Sequence, residues 1–313
     1  MASIESQANK NHYAAIAANA GKLTSPQAII DYNDVNWTAL TGEPGGVDYV
    51  EVDAGGVPAM WILPKGADDK RALLYAHGGG FIGGSIYTHR KLVGHLAKAV
   101  GCRALLYNYP LAHQAKHPAQ LEAAMSAWNW LVDQGFDAGH VALAGDSCGA
   151  VLTYGVLQRL RGEGRPLPVA ALIISGWFDM ALTGASYGTN REKDPAFARE
   201  AVDWLVGNFI GDRDRLDPEV SALYADLTGF PPVFLQAGAD ETLVDESRMF
   251  AERARQAGVE TRLDVFDGML HSFQMMAGRA PEADDAVRRL AAWVRPRLGL
   301  ADGGEKIAGD KAA

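Results

Sequence analysis

Three residues far apart in the chain carry side chains that could cooperate in nucleophilic chemistry. Ser147 lies within Gly145-Asp146-Ser147-Cys148-Gly149, Asp240 within AGADETLVDES and His271 within DGMLHSF. A serine hydroxyl is a weak nucleophile until a base takes its proton, and imidazole is the base best matched to neutral pH. A carboxylate behind that imidazole orients it and balances the charge it acquires. A fourth stretch, His77-Gly78-Gly79-Gly80-Phe81, offers backbone amides unobstructed by side chains, as stabilisation of an oxyanion requires. Together these groups describe acyl transfer.

Such chemistry needs a frame that brings the four stretches to one place. After a hairpin signal at VDYVEVD (47–53) and VPAMWIL (57–63), the chain alternates strand and helix patterns. Strand patterns cover 71–77, 102–109, 140–145, 169–175, 232–238 and 261–267. Helical patterns follow at 88–101, 118–134, from the serine stretch to about 161, and near 195–207, 245–257 and 282–295. This predicts an α/β fold: a mostly parallel central sheet with helices on both faces and the hairpin as an antiparallel edge. Ligands of such sheets sit outside the carboxyl ends of the strands. The glycine stretch follows 71–77, Ser147 follows 140–145, Asp240 follows 232–238 and His271 follows 261–267. Asp245 is the alternative acid, but it sits where the next helix begins and suits a cap. Cys148 has no motif partner and reads as a small buried hydrophobe that contributes its backbone amide.

Two segments interrupt the alternation. Residues 1–45 read as helices, with Ser25-Pro26 as an N-cap and first turn, and residues 183–225 form a second insertion. Both are expected to cap one end of a core made of 46–182 and 226–300. The tail 301–313, mostly Gly, Ala and charge, is expected to be disordered.

The 313 residues are 48% hydrophobic and 21% charged, a globular composition. The net charge of −9 argues against nucleic acid, whose phosphates need a basic partner. No apolar run is long enough for a spanning helix, and no leader pattern opens the chain, so a cytoplasmic location is expected. Two cysteines, Cys102 and Cys148, give neither a disulfide framework nor zinc spacing. No metal or organic cofactor motif is present, so the expected partner is a small-molecule substrate; a homodimer is left open.

HGGGFIGGS (77–85), GDSCG (145–149), SGWFDMALTG (175–184), PPVFLQAGADETLVDE (231–246) and GMLHSF (268–273) resemble the hormone-sensitive-lipase-type α/β-hydrolases. The order Ser…Asp…His agrees with that fold. SYGTNREKDP (186–195) and SALYADLTGFPP (221–232) are similar to the branch that includes monoterpene ε-lactone hydrolases. The resemblance implies a serine carboxylesterase with Ser147 as nucleophile, His271 as base and then acid, and Asp240 behind it. It implies an oxyanion hole from the amides of Gly78, Gly79 and Cys148, with His77 bracing the glycine loop. Trp177 and Phe178 are expected at the acyl pocket. The implied substrates are short or compact esters; lactones, amides and a non-catalytic ligand-binding role are the alternatives. The sequence departs from the family where Tyr-Arg-Leu-Ala-Pro-Glu is usual: Pro110 and Gln114 replace both charges, as expected if a buried ion pair was exchanged as a unit.

Overall fold

The computed structural model describes residues 2–301, so all but the first residue of the predicted disordered tail lies outside the described residues. Eight strands form one sheet: β1 (Val47–Asp53), β2 (Pro58–Pro64), β3 (Asp68–Ala76), β4 (Cys102–Tyr107), β5 (Val141–Asp146), β6 (Ala170–Ile174), β7 (Val233–Gly238) and β8 (Thr261–Phe266). Their spatial order is β1-β2-β4-β3-β5-β6-β7-β8. β1 and β2 pair antiparallel, β2 meets β4 antiparallel, and every pair from β4 to β8 is parallel. The predicted hairpin edge and parallel centre are therefore both present. β5, β6 and β7 are buried at every position, which is why they read as continuous apolar runs without alternation.

Helices cover both faces. α3 (Ile86–Val100) and α9 (Pro281–Val294) pack with one hydrophobic cluster. α4 (Ala119–Asp133), α5 (Gly149–Gly162) and α8 (Val244–Gln256) pack with the other. α3 begins before the Thr88 expected from sequence, because Ser85 is its N-cap. Ser85 Oγ accepts from the Thr88 N–H, and the Thr88 hydroxyl accepts from the Ser85 N–H. Gly101 closes it in the left-handed region, at φ 79°.

The remaining helices lie over the carboxyl ends of the strands. They are α1 (Gln7–Asn19), α2 (Pro26–Leu40), the short α6 (Ser186–Thr189) and α7 (Arg199–Ile210). Ser25 caps α2 and Pro26 opens it, as the sequence indicates. α7 starts at Arg199 rather than near 195, since Pro195–Phe197 forms a separate 3-10 turn. No described helix is long and apolar enough to cross a membrane.

Candidate active site

β5 runs straight into a tight turn and then α5, and Ser147 stands on that turn at φ 53°. A non-glycine residue in the left-handed region is strained, and the strain lifts the side chain off the sheet. The flanking glycines are required by packing. A Cβ on Gly149 would lie 2.1 Å from Ala76 O, and one on Gly145 would lie 2.8 Å from Gly149 O. The Ser147 N–H donates to Ile174 O, and Ser147 O accepts from the Trp177 N–H, so neighbouring β6 locks the turn.

His271 lies beyond β8, buried, with the Phe197 ring tilted against it at 4.3 Å and Tyr13 edge-on at 6.3 Å. Its Nδ1 is 3.0 Å from Glu241 Oε2, and its Nε2 has no partner among the described residues. Nδ1 therefore donates to the carboxylate, which leaves Nε2 free to accept a proton. Burial lowers the basicity of this imidazole, but the Glu241 hydrogen bond and charge, with the charges of Asp194 and Asp146, outweigh it and raise its pKa.

The acid behind His271 is thus Glu241, and the expectation of Asp240 is corrected. The Asp240 carboxylate is turned to the surface, where it meets Lys193 Nζ at 2.8 Å and Lys10 Nζ at 3.6 Å. The physical reason lies in the turn after β7. The Asp240 N–H donates to Met269 O, which fixes that residue outward, and the next position, Glu241, is fully buried. Asp245 is not the partner either; it accepts from the Ser186 N–H and pairs with Arg248. Sequence reasoning could not rank two adjacent acids at a strand end, because side-chain direction there depends on the turn.

The glycine loop also needs one correction. The Gly78 N–H donates to Asp146 Oδ1 at 2.9 Å and is not available to a ligand. Among the described residues, the amides of Gly79, Gly80 and Cys148 make no hydrogen bond to a backbone carbonyl. Gly79 (φ 125°) could not be replaced: a Cβ would come within 2.1 Å of Gly83 O. His77 braces the loop, as the resemblance implies. Burial, then the neighbouring His89, push its pKa down to about 3, and the neutral ring donates from Nδ1 to Gly78 O at 2.7 Å. The ring stacks on Tyr109, whose hydroxyl donates to His77 O.

Asp146 ties the loops together. It accepts from the Tyr75 hydroxyl at 3.0 Å, the Gly78 N–H and the Ser272 hydroxyl at 3.5 Å, while His89 Nε2 approaches at 3.4 Å. Burial alone would raise its pKa, but His89, Tyr75 and His77 together hold it lowered, so it stays ionised. Cys148 is fully buried and its thiol is pushed up to about 12, chiefly by burial. It is no nucleophile at neutral pH.

A cavity of about 420 Å³ opens over Ser147 and His271. Its walls come mainly from the helices above the sheet, with Ile16, Ile29, Trp37, Phe197, Trp204 and Leu205 as apolar lining. Trp177 and Phe178 do not line it, correcting that expectation. The chain turns sharply at Ser175 (φ 46°), and both rings sit in the core, with Phe178 stacked on Phe250 at 4.1 Å. Of the aromatics in the two inserted segments, Tyr13, Trp37, Phe197 and Trp204 face the cavity. Phe209 instead stacks on Phe81, while Tyr187 and Tyr224 bond Glu246 and Asp179. The Pro110/Gln114 exchange is not a buried neutral contact. Gln114 is exposed and accepts from the Leu111 N–H, and the buried Gln120 holds the loop by donating to Pro110 O and Ala115 O.

A parallel sheet with a strained serine after β5, a histidine after β8 and a buried carboxylate after β7 defines an α/β-hydrolase. Residues 73–275 match the family described as alpha/beta hydrolase fold, and the chain belongs to that family. It is 35% identical to an acetyl-hydrolase of Streptomyces hygroscopicus over 82% of this chain and 84% of that protein. It is 33% identical to an esterase of Acinetobacter venetianus over 72% of this chain and 75% of that protein. A solved esterase of the bacterial hormone-sensitive lipase family superimposes with a TM-score of 0.90 at 35% identity, covering 96% of this chain and all (100%) of that one.

Proposed function

We propose that the protein is a serine carboxylic ester hydrolase acting on compact, uncharged esters through an acyl-enzyme. The observation that carries this reading is the free Nε2 of a buried His271–Glu241 pair in a cavity shared with a strained, glycine-flanked Ser147. Ser147 attacks the ester carbonyl as His271 Nε2 takes its proton; Glu241 stabilises the imidazolium that results. The amides of Gly79, Gly80 and Cys148 receive the oxyanion, each worth about 3–4 kcal/mol of barrier. His271 then protonates the departing alcohol, and water repeats the sequence on the acyl-enzyme.

Residues 1–45 and 183–225 form the cap that shapes substrate choice over the core. The apolar walls favour esters without charge, and their closeness favours short acyl groups over long ones. The esterase and acetyl-hydrolase names of the relatives support the ester reading. Hydrolysis of a p-nitrophenyl series from acetate to laurate, by wild type and by Ser147→Ala, tests it. Turnover that declines toward laurate and vanishes in the variant is expected. No wild-type turnover on any ester, or equal turnover in the variant, would refute it.

A further inference from the structure

The turn that carries Glu241 is held from above as firmly as from the sheet. Asn190, itself buried, donates from Nδ2 to Ala239 O at 3.0 Å and to Glu241 O at 2.9 Å. Asp194 Oδ2 accepts from the Thr242 N–H at 3.0 Å, and the Thr242 hydroxyl donates to Phe197 O at 2.7 Å. The Ser186 hydroxyl donates to Thr242 O at 2.6 Å. All four holding residues belong to the inserted stretch between β6 and β7.

Asp194 is the one whose chemistry exceeds bracing. It is fully buried, yet its Oδ1 has no partner among the described residues, and the same is true of Glu241 Oε1. An unsatisfied buried carboxylate oxygen is costly, and a fold made only for stability would have removed or paired it. The titratable groups that face Asp194 are His271 and Glu241 from the core and Tyr13 from α1, whereas Lys10 and Lys193 are taken by Asp240. Burial pushes the Asp194 carboxyl up to about 6, against the opposing pull of His271 and the Thr242 N–H. In return, its negative charge is one of those that raise His271.

Resting on the hydrolytic reading above, we propose that Asp194 is a positioning residue of the site, fixing the Glu241 turn through Thr242 and setting a buried carboxylate beside the His271–Glu241 pair. The sign follows from the charges. An Asp194 anion favours the imidazolium, so its removal lets His271 lose its proton at lower pH.

The experiment compares Asp194→Asn, which keeps an oxygen for the Thr242 N–H but no charge, with Asp194→Ala, which keeps neither. Asp194→Ala should lose about 10–100-fold in kcat with KM within about twofold, as expected for a misaligned acid and base. Asp194→Asn should recover most of that loss at high pH, with the acidic limb of kcat/KM moved down by about 0.5 pH unit. The His271 ring titration, followed by ¹⁵N NMR and assigned with His271→Ala, should move the same way and requires no turnover. Inactivity of the wild type on every ester would defeat the hydrolase reading, while that titration would still decide the role of Asp194. An unmoved His271 titration in Asp194→Asn overturns the proposal, as does a kcat within about twofold of wild type in Asp194→Ala. Should Asp194→Ala fail to fold, the Asn variant alone decides.

Discussion

Exchanging the two adjacent acids after β7 separates the charge that works from the charge that only decorates. Glu241 Oε2 lies 3.0 Å from His271 Nδ1 and both groups are buried. When the imidazole takes the serine proton, opposite unit charges at that separation attract by about 5 kcal/mol at an effective dielectric of about 20. Losing that attraction raises the barrier by a similar amount, or about 10⁴-fold in kcat, which is also the usual cost of neutralising the acid of such a site. Glu241→Gln keeps the shape and adds the damage of favouring the wrong imidazole tautomer, so it should show the full effect. Asp240→Asn, at the adjacent residue, removes only pairs with Lys10 and Lys193 at the surface, worth about 0–1 kcal/mol in such settings. Its kcat should stay within about threefold. The assay is steady-state hydrolysis of p-nitrophenyl butyrate at pH 8, with circular dichroism to confirm folding. A collapse of activity in Asp240→Asn with Glu241→Gln largely intact would refute the reasoning and return the role to Asp240.

Three further outcomes follow from the site. Because Glu241, Asp194 and Asp146 favour the imidazolium over the desolvated neutral ring, the acidic limb of kcat/KM should have its midpoint above the ordinary 6.5 of histidine; activity is lost as pH falls through it, and a midpoint below about 6 would contradict the paired geometry. Gly149→Ala should cost at least about 3 kcal/mol or prevent folding, since the new methyl would lie 2.1 Å from Ala76 O; a melting temperature near wild type would show that the turn can relax. Iodoacetamide should leave native Cys148 unmodified, and Cys148→Ala should keep kcat within about fivefold, because the buried thiol is a packing group, in contact with Tyr109 at 3.5 Å; rapid alkylation with loss of activity would overturn this.

Much of this is legible in the sequence. The parallel strands announce themselves as short apolar runs ending in glycine or a polar residue, and strand ends locate the chemistry in an open sheet. Ser147 and His271 were readable for that reason. The acid was not, because adjacent residues in a turn can point to opposite sides, and a hydrogen bond from the Asp240 N–H to Met269 O settles which one faces in. The Gly78 amide is hidden for a related reason: it looks free in sequence, yet a carboxylate 68 residues away claims it. Trp177 and Phe178 lie after a strand, yet the turn at Ser175 sends them into the core. The cavity walls were the least legible part. They come from helices whose docking depends on tertiary contacts, as with Tyr13 against Phe197 at 5.3 Å.

The Asp146 carboxylate has a consequence for anyone who would alter this protein. A single group touches Tyr75 at the end of β3, Gly78 in the glycine loop and Ser272 beside the histidine. The strand and the two loops therefore share one reference point and cannot be tuned as separate modules. A substitution that shifts the glycine loop will be registered at Ser272, and paired changes in the two loops should combine non-additively even where their side chains never meet. Libraries that randomise one loop at a time would miss the variants in which both have moved together.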